Sequence, residues 1–134
     1  MRITQVSAFL ENRPGRLLNL LNTLARANVN VIAHNIVDAS DFGIVHLVLD
    51  DPQRALEVIR DADVTCAATS VLQVTVPNTP GAFVECVLKP LADADINIEY
   101  SYAYSAASAG EANIVLKVDD LEGGERTLAR AAGN

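Results

Sequence analysis

Cysteine is scarce in this chain: Cys66 and Cys86 are the only two among 134 residues. Two thiols without a CxxC pairing are too few for a disulfide scaffold, so a reducing, cytoplasmic setting is expected. Basic residues are also few. Ten Lys and Arg face seventeen Asp and Glu, the net charge is −7, and no Lys/Arg cluster offsets it. That excludes a general nucleic-acid binder, which needs a cationic footprint. Long apolar runs are missing, because Asn, Asp, Ser or Arg interrupts every hydrophobic stretch, and no segment is expected to span a bilayer. The N-terminal stretch Met1-Arg2-Ile3-Thr4-Gln5-Val6 has no charged region followed by an apolar run, which argues against secretion. Glycine-rich phosphate loops, nucleophile elbows and zinc-hydrolase motifs are all wanting. His34 and His46 are the only histidines, and no Cys, His or carboxylate spacing suits a metal or a cofactor.

What the chain does have is a length near that of one average domain, with half its residues hydrophobic and a fifth charged. This composition excludes wholesale disorder. It also has an internal repeat. Asn12-Arg13-Pro14-Gly15 returns as Asn78-Thr79-Pro80-Gly81, Asn28-Val29-Asn30-Val31 as Asp95-Ile96-Asn97-Ile98, and Asp50-Asp51 as Asp119-Asp120. The spacing between copies grows from 66 to 67 to 69 residues. One added residue falls in the helical stretch Val87-Leu88-Lys89-Pro90, which also brings a helix-breaking proline. The rest falls in the longer turn from Ser105 to Gly110. The expected units are residues 1–69 and 70–134, each about the smallest size that folds alone.

Within a copy the hydrophobic period changes in a regular order. Val6, Ala8 and Leu10 alternate with Gln5, Ser7 and Phe9 and predict a strand, as Leu72, Val74 and Val76 do in the second copy. Leu17, Leu20, Leu21 and Leu24 make a helical stripe. Val29 to Asp38 reads as a strand, Ala39 to Gly43 as a turn, and Gly43 to Asp50 as a strand with Val45, Leu47 and Leu49 on one face. Asp51-Pro52 starts a helix that buries Ala55, Leu56 and Ile59. Val64 to Ala67 reads as a short closing strand, and Ser70 to Val76 opens the second copy. The fold class is α+β: two ferredoxin-like βαββαβ units in tandem, with antiparallel sheets and helices on one face. The second copy ends with the helix Leu121 to Ala132 and lacks its last strand. That leaves an unprotected edge, a cover from the Val64 to Val76 segment, or a cover from another chain; the last is the expectation.

The strongest constellation is the turn Leu10-Glu11-Asn12-Arg13-Pro14-Gly15. It leads from a strand into a helix N-terminus, where free N–H groups and the helix dipole favour a small anion such as an amino-acid carboxylate. Asn12 both donates and accepts, so it suits an ammonium as well as a carboxylate; alternatively it caps the helix. The run Phe9 to Gly15, the Leu-rich helix and Asn28-Val29-Asn30-Val31 together resemble an ACT domain. The stretch from Val76-Pro77-Asn78-Thr79-Pro80-Gly81 through Asp95-Ile96-Asn97-Ile98 resembles a second one.

The resemblance implies a regulatory, non-catalytic module that binds amino acids where two such domains meet. Serine-sensing members of the family use an Asn before Arg-Pro-Gly and another at the start of the next strand. Those positions are Asn12 and Asn30 here, and Asn78 and Asn97 in the second copy. The implied ligand-binding set is Asn12, Arg13, Pro14, Gly15, Asn30, Asn78, Pro80, Gly81 and Asn97. The same members carry a His two residues before the first Asn, where this chain has Leu10 and Val76, so which amino acid binds is left open. Side-by-side pairing of such units implies a seam along the strands that begin at Asn30 and Asn97, with two related sites. The implied partners are a small-molecule amino acid, a second copy of the chain as a homodimer, and a regulated enzyme. The alternative is an assembly subunit that has lost its ligand. A small enzyme would need a paired acid and base, for which only His34, Asp38 and Asp41 offer themselves.

Tyr100, Tyr102 and Tyr104 alternate and share one face of a strand. Their parity matches Ile96 and Ile98, which points to packing. Ser40-Asp41-Phe42-Gly43 reads as a polar turn that could help line a site, and the second copy has Gly110-Glu111-Ala112 in its place. Cys66 and Cys86 read as small buried residues.

Overall fold

Alternation and helical stripes become strands and helices in the computed structural model, which describes residues 1–133. The order is β1 (Arg2–Glu11), α1 (Arg16–Arg26), β2 (Val31–Ala39), β3 (Phe42–Leu49), α2 (Pro52–Asp61) and β4 (Cys66–Pro77). A π-helical turn (Val84–Leu88) leads into α3 (Lys89–Asp93), followed by β5 (Ile98–Ser105), β6 (Glu111–Val118) and α4 (Leu121–Gly133). The chain divides into two compact units: Thr4–Thr69, and Ser70 onward together with Met1–Ile3.

In the first unit the strand order is β2-β3-β1, followed by the start of β4. The backbone N–H of Phe9 donates to the Thr65 carbonyl at 2.9 Å, which sets that closing stretch antiparallel beside β1. In the second unit β4 lies beside β6, and β6 beside β5. The fourth place is taken by the chain's own first residues, with Gln73 N–H donating to the Met1 carbonyl at 2.8 Å. A partner chain is therefore not needed to close this sheet. The short closing strand and the strand opening the second copy are also one element, β4, rather than two.

Each unit has its own core on the helix-covered face of its sheet. Val6, Ala8 and Leu10 pack with Leu20 and Leu24 of α1 and Ala55, Leu56 and Ile59 of α2. Leu72 and Val76 pack with Val87, Leu91 and Leu128 in the second unit. Leu24, Leu47, Leu72 and Leu116 are fully buried, and each such side chain contributes roughly 1.5–3 kcal/mol.

The repeated residues explain themselves locally. Asn28 and Asp95 take left-handed conformations (φ 61° and 59°) just past a helix, which short polar side chains tolerate. Val29 and Ile96 then turn inward and are buried. Asn30 and Asn97 donate their backbone N–H to the carboxylates of Asp50 (2.9 Å) and Asp119 (3.0 Å). The backbone N–H groups of Asp50 and Asp119 return a bond to the Asn30 and Asn97 carbonyls, both at 3.1 Å. The next residues are helix caps: Asp51 accepts from Arg54 N–H at 3.1 Å and Asp120 from Gly123 N–H at 3.0 Å.

The added residue of the second copy is absorbed by the π turn, in which Lys89 N–H reaches back five residues to Val84. Helix therefore continues through Pro90 rather than breaking there. A β-bulge separates Ile98 from Tyr100, and another separates Val31 from Ala33. The bulge changes the parity of β5. Ile98 pairs with Val118 and packs on the core, whereas Tyr100, Tyr102 and Tyr104 pair with Lys117, Val115 and Asn113 on the opposite face. The shared parity expected of the tyrosines and Ile98 is thus not realised. Tyr104 donates to the Gln73 side chain at 2.6 Å. Burial, helped by the neighbouring Tyr100 and Tyr104, pushes the Tyr102 phenol well above its usual range. Cys86 is exposed rather than buried, and Cys66 is half-buried.

Opposite the first core, Gln5, Ser7 and His46 form a buried polar cluster. Ser7 Oγ lies 3.0 Å and Gln5 Nε2 3.1 Å from His46 Nδ1. Burial lowers the His46 pKa from the ordinary 6.5. In this range the unfolded chain binds the proton more readily than the folded one, so His46 makes stability fall as pH drops below about 6.5. Urea midpoints compared at pH 7.5 and pH 5.5 should decline for the parent and decline less for His46→Asn. Equal declines would show that the imidazole charges without penalty.

Candidate functional site

Two turns of like geometry follow the first strand of each copy. Gly15 and Gly81 adopt φ of 86° and 82°, a region closed to most side chains, and turn the chain into a helix. Asn12 N–H donates to the Asp41 carbonyl at 2.9 Å, and Asn78 N–H to the Gly110 carbonyl at 2.8 Å. The Pro-Gly turn is thereby tied to the turn between the two following strands in both copies.

The side chains differ. Asn12 Nδ2 donates to Asp38 Oδ1 at 3.1 Å and to the Ser40 carbonyl at 3.3 Å. Arg13 and Arg16 lie 3.3 and 3.5 Å from the two Glu11 carboxylate oxygens. The first turn is therefore a charged, self-engaged surface, and its hollow of about 520 Å³ is lined by Glu11, Asn12, Arg13, Ser40, Asp41 and Phe42. In the second copy Pro77, Thr79 and Ala82 replace Glu11, Arg13 and Arg16, and the exposed Asn78 side chain has no hydrogen-bonding partner among the described residues.

Next to Asn78 is a cavity of about 330 Å³ lined largely by apolar groups. Val76 pairs with Ala112 and Ala103 with Ile114, so these residues share the helix-covered face of the sheet. Phe83 on the helix, Ser101 on β5, and Asn78 and Thr79 on the turn complete the wall. Small side chains at 101 and 103, where the helix leaves edge strand β5 uncovered, make the hollow. Most of these lining residues escaped the sequence reading, because nothing in their types distinguishes them from core. The available signal was the repeat itself: Ser101 and Ala103 stand where the first copy has His34 and Ile36.

Asn30 and Asn97 are not brought to these turns within their own units. Register puts Asn30 at the Leu49 end of β3 and Asn12 at the Phe42 end, roughly 20 Å away. Asn97 and Asn78 are separated in the same manner. Among the described residues β2 is hydrogen-bonded only to β3, and β5 only to β6. β2 and β5 are thus each an edge strand of their own unit. His34, Asp38 and Asp41 make no acid–base pair, since Asp38 is held by Asn12. Among the described residues no three His, Cys, Asp or Glu gather to hold a metal ion, and no helix is long and apolar enough to cross a membrane.

The difference between the turns is measurable as stability. Asn12→Ala removes two exposed hydrogen bonds and should cost about 1 kcal/mol. Asn78→Ala should stay within about 0.5 kcal/mol of the parent. Denaturant midpoints compare the two, and equal losses would contradict the asymmetry.

Residues 1–129 match the family model described as an ACT domain pair. A crystal structure of a Bacteroides thetaiotaomicron protein superposes with a TM-score of 0.92 at 31% identity, over 98% of this chain and 90% of that one. The regulatory subunit of aspartate kinase from Thermus thermophilus, in its ligand-free form, gives a TM-score of 0.69 at 17% identity, covering 99% of this chain and 94% of that one. The corresponding subunit from Thermus flavus gives 0.65 at 17%, covering 98% and 95%. No curated protein sequence matches. Taken with the duplicated fold and the paired Pro-Gly turns, these likenesses show that the chain belongs to the ACT domain pair family.

Proposed function

We propose that this chain is a non-catalytic regulatory module that binds an amino acid and conveys its presence to a partner enzyme in the cytoplasm. The observation that carries the reading is the cavity beside Asn78, with a polar mouth and an apolar interior. An uncommitted primary amide at the mouth can donate to a carboxylate and accept from an ammonium. The turn at Thr79, Pro80 and Gly81 opens into helix 82–93, whose first N–H groups lack intrahelical partners and favour a carboxylate. The regulatory subunits of aspartate kinase, whose fold this chain resembles, are an analogy for the role. Occupancy would act by favouring one arrangement of the chain over another, and a partner would read that arrangement.

Thermal unfolding in the presence of each of the twenty amino acids at millimolar concentration tests this. A ligand at a hundred times its dissociation constant adds about 2.7 kcal/mol, a rise of roughly 10 °C for a chain of this size. A shift for one or a few related amino acids, reduced in Asn78→Ala, is expected. No shift for any of them would leave an assembly subunit without a ligand.

A second copy of the chain is the proposed structural partner. β2 is an edge strand carrying exposed Ile32, Ile36 and Val37, the apolar edge that soluble proteins usually cover. Sedimentation equilibrium should give a dimer for the parent and a monomer for Ile32→Lys. A monomeric parent would remove the proposal.

A further inference from the structure

We infer that only the second copy holds a ligand, and that this ligand is an amino acid with a small aliphatic side chain; the inference rests on the amino-acid-binding reading above. It comes from comparing equivalent positions of the duplicated fold. Ala103 pairs with Ile114 in the second unit, and Ile36 pairs with Val45 in the first. The repeat offsets equate these two pairs, so Ile36 stands where Ala103 stands. Beside them Ala112 is the counterpart of Gly43, and Ser101 that of His34.

In the second unit the small Ser101 and Ala103 leave the cavity open above Ala112 and Ile114. In the first unit the larger Ile36 leans over Gly43, its Cγ2 lying 3.6 Å from the place a Cβ on Gly43 would take. Over the equivalent stretch of sheet the first copy carries a half-exposed isoleucine where the second carries an alanine. The first copy's turn is closed, since Asn12 is spent on Asp38 and Ser40 and Arg13 is held at Glu11. A carboxylate approaching there meets the acidic Glu11, Asp38 and Asp41, while the arginines that could receive it, Arg13 and Arg16, are already paired with Glu11. The two copies have diverged into a charged, self-engaged turn and a neutral, uncommitted one.

The wall of the open cavity sets the ligand class. Its apolar wall is Val76, Pro77, Phe83, Ala103, Ala112 and Ile114, and the polar side chains on that face are the neutral Asn78, Thr79 and Ser101. Among the described residues no Asp, Glu, Lys, Arg or His lines it. A charged side chain entering it would lose water and gain no counter-charge, which is heavily unfavourable. An aliphatic side chain gains by burying its surface there, while its ammonium and carboxylate stay at the polar mouth. Acidic and basic amino acids are excluded on this ground.

Isothermal titration of the full chain with L-valine, L-leucine and L-isoleucine, and with L-aspartate and L-lysine, tests both parts. Saturation at one site per chain by at least one aliphatic amino acid is expected, with aspartate and lysine at least tenfold weaker. Ala103→Ile places the first copy's residue in the second and should weaken binding at least tenfold. Ala107→Ile, the same change on the exposed turn outside the cavity, should bind as the parent does. Because residues 103 and 107 are solvent-exposed, both variants should keep the parent's unfolding midpoint, which the same samples report. Two sites per chain, retained affinity in Ala103→Ile, or equal loss in Ala107→Ile would overturn the assignment of the ligand to the second copy. Preference for aspartate or lysine would overturn the ligand class while leaving an amino-acid-binding module. Failure of all twenty amino acids to bind would overturn the module itself and this inference with it.

Discussion

Backbone hydrogen bonds that a sheet edge leaves unmade are the constraint on which this structure turns. A ferredoxin-like unit needs a fourth strand beside its first, and in the second copy the chain's own first residues supply it. The chain meets the need with two long strands. The segment entering β4 closes the first unit beside Phe9, and Met1–Ile3 close the second beside Gln73. Without these pairings Gln5 and Val71, each fully buried, would lie on or next to open edges. The cost of leaving such groups unpaired exceeds the modest net gain of any single hydrogen bond. Strand sharing therefore decides where the units divide, and the outer edges β2 and β5 are what remain uncovered.

Much of this was legible in the sequence, because duplication doubles every local signal. The Pro-Gly turns, the Asn-containing strand starts and the Asp-Asp pairs each have a mechanical meaning that the structure supplies twice. Asn28 and Asp95 accept a left-handed backbone, Asp50 and Asp119 clasp the strand start, and Asp51 and Asp120 cap a helix. Side-chain periodicity found the cores for the same reason. What was not legible came from insertions of single residues. A period count cannot distinguish a helix that breaks at Pro90 from one that widens into a π turn before it. Nor can it see the bulge after Ile98, where one extra residue sends the three tyrosines to the other face. The closing strand was missed because it lies at the far end of the chain from the unit it completes.

The candidate site was legible only in outline. Asn12 and Asn78 occupy equivalent turns, and sequence likeness treats them alike. Their difference lies in what surrounds them: an aspartate and a carbonyl take the first amide, whereas alanines and a serine leave the second uncommitted. Asn30 and Asn97 have a role in each unit that needs no ligand, since their backbones form the clasp that fixes the register of an edge strand. Recurrence in both copies is explained by that geometry, and a ligand is not required to account for it.

Duplication also removes the conflict between stability and binding. A cavity lined by Val76, Ala112 and Ile114 costs packing energy that a filled site would keep, and an unpaired amide at its mouth adds nothing to the fold. A single domain of about 65 residues has little stability to spare. In a tandem chain one copy can keep its turn engaged, with Asn12 anchored to Asp38, while the other leaves its amide and its apolar hollow uncommitted. Ligand bound in that hollow would bury apolar surface that the second unit leaves to solvent. Its stabilisation would then reach edge strand β5 and the start of helix 82–93 together, because both form the wall. Such coupling would need no moving hinge: a ligand would act by stabilising the unit it binds.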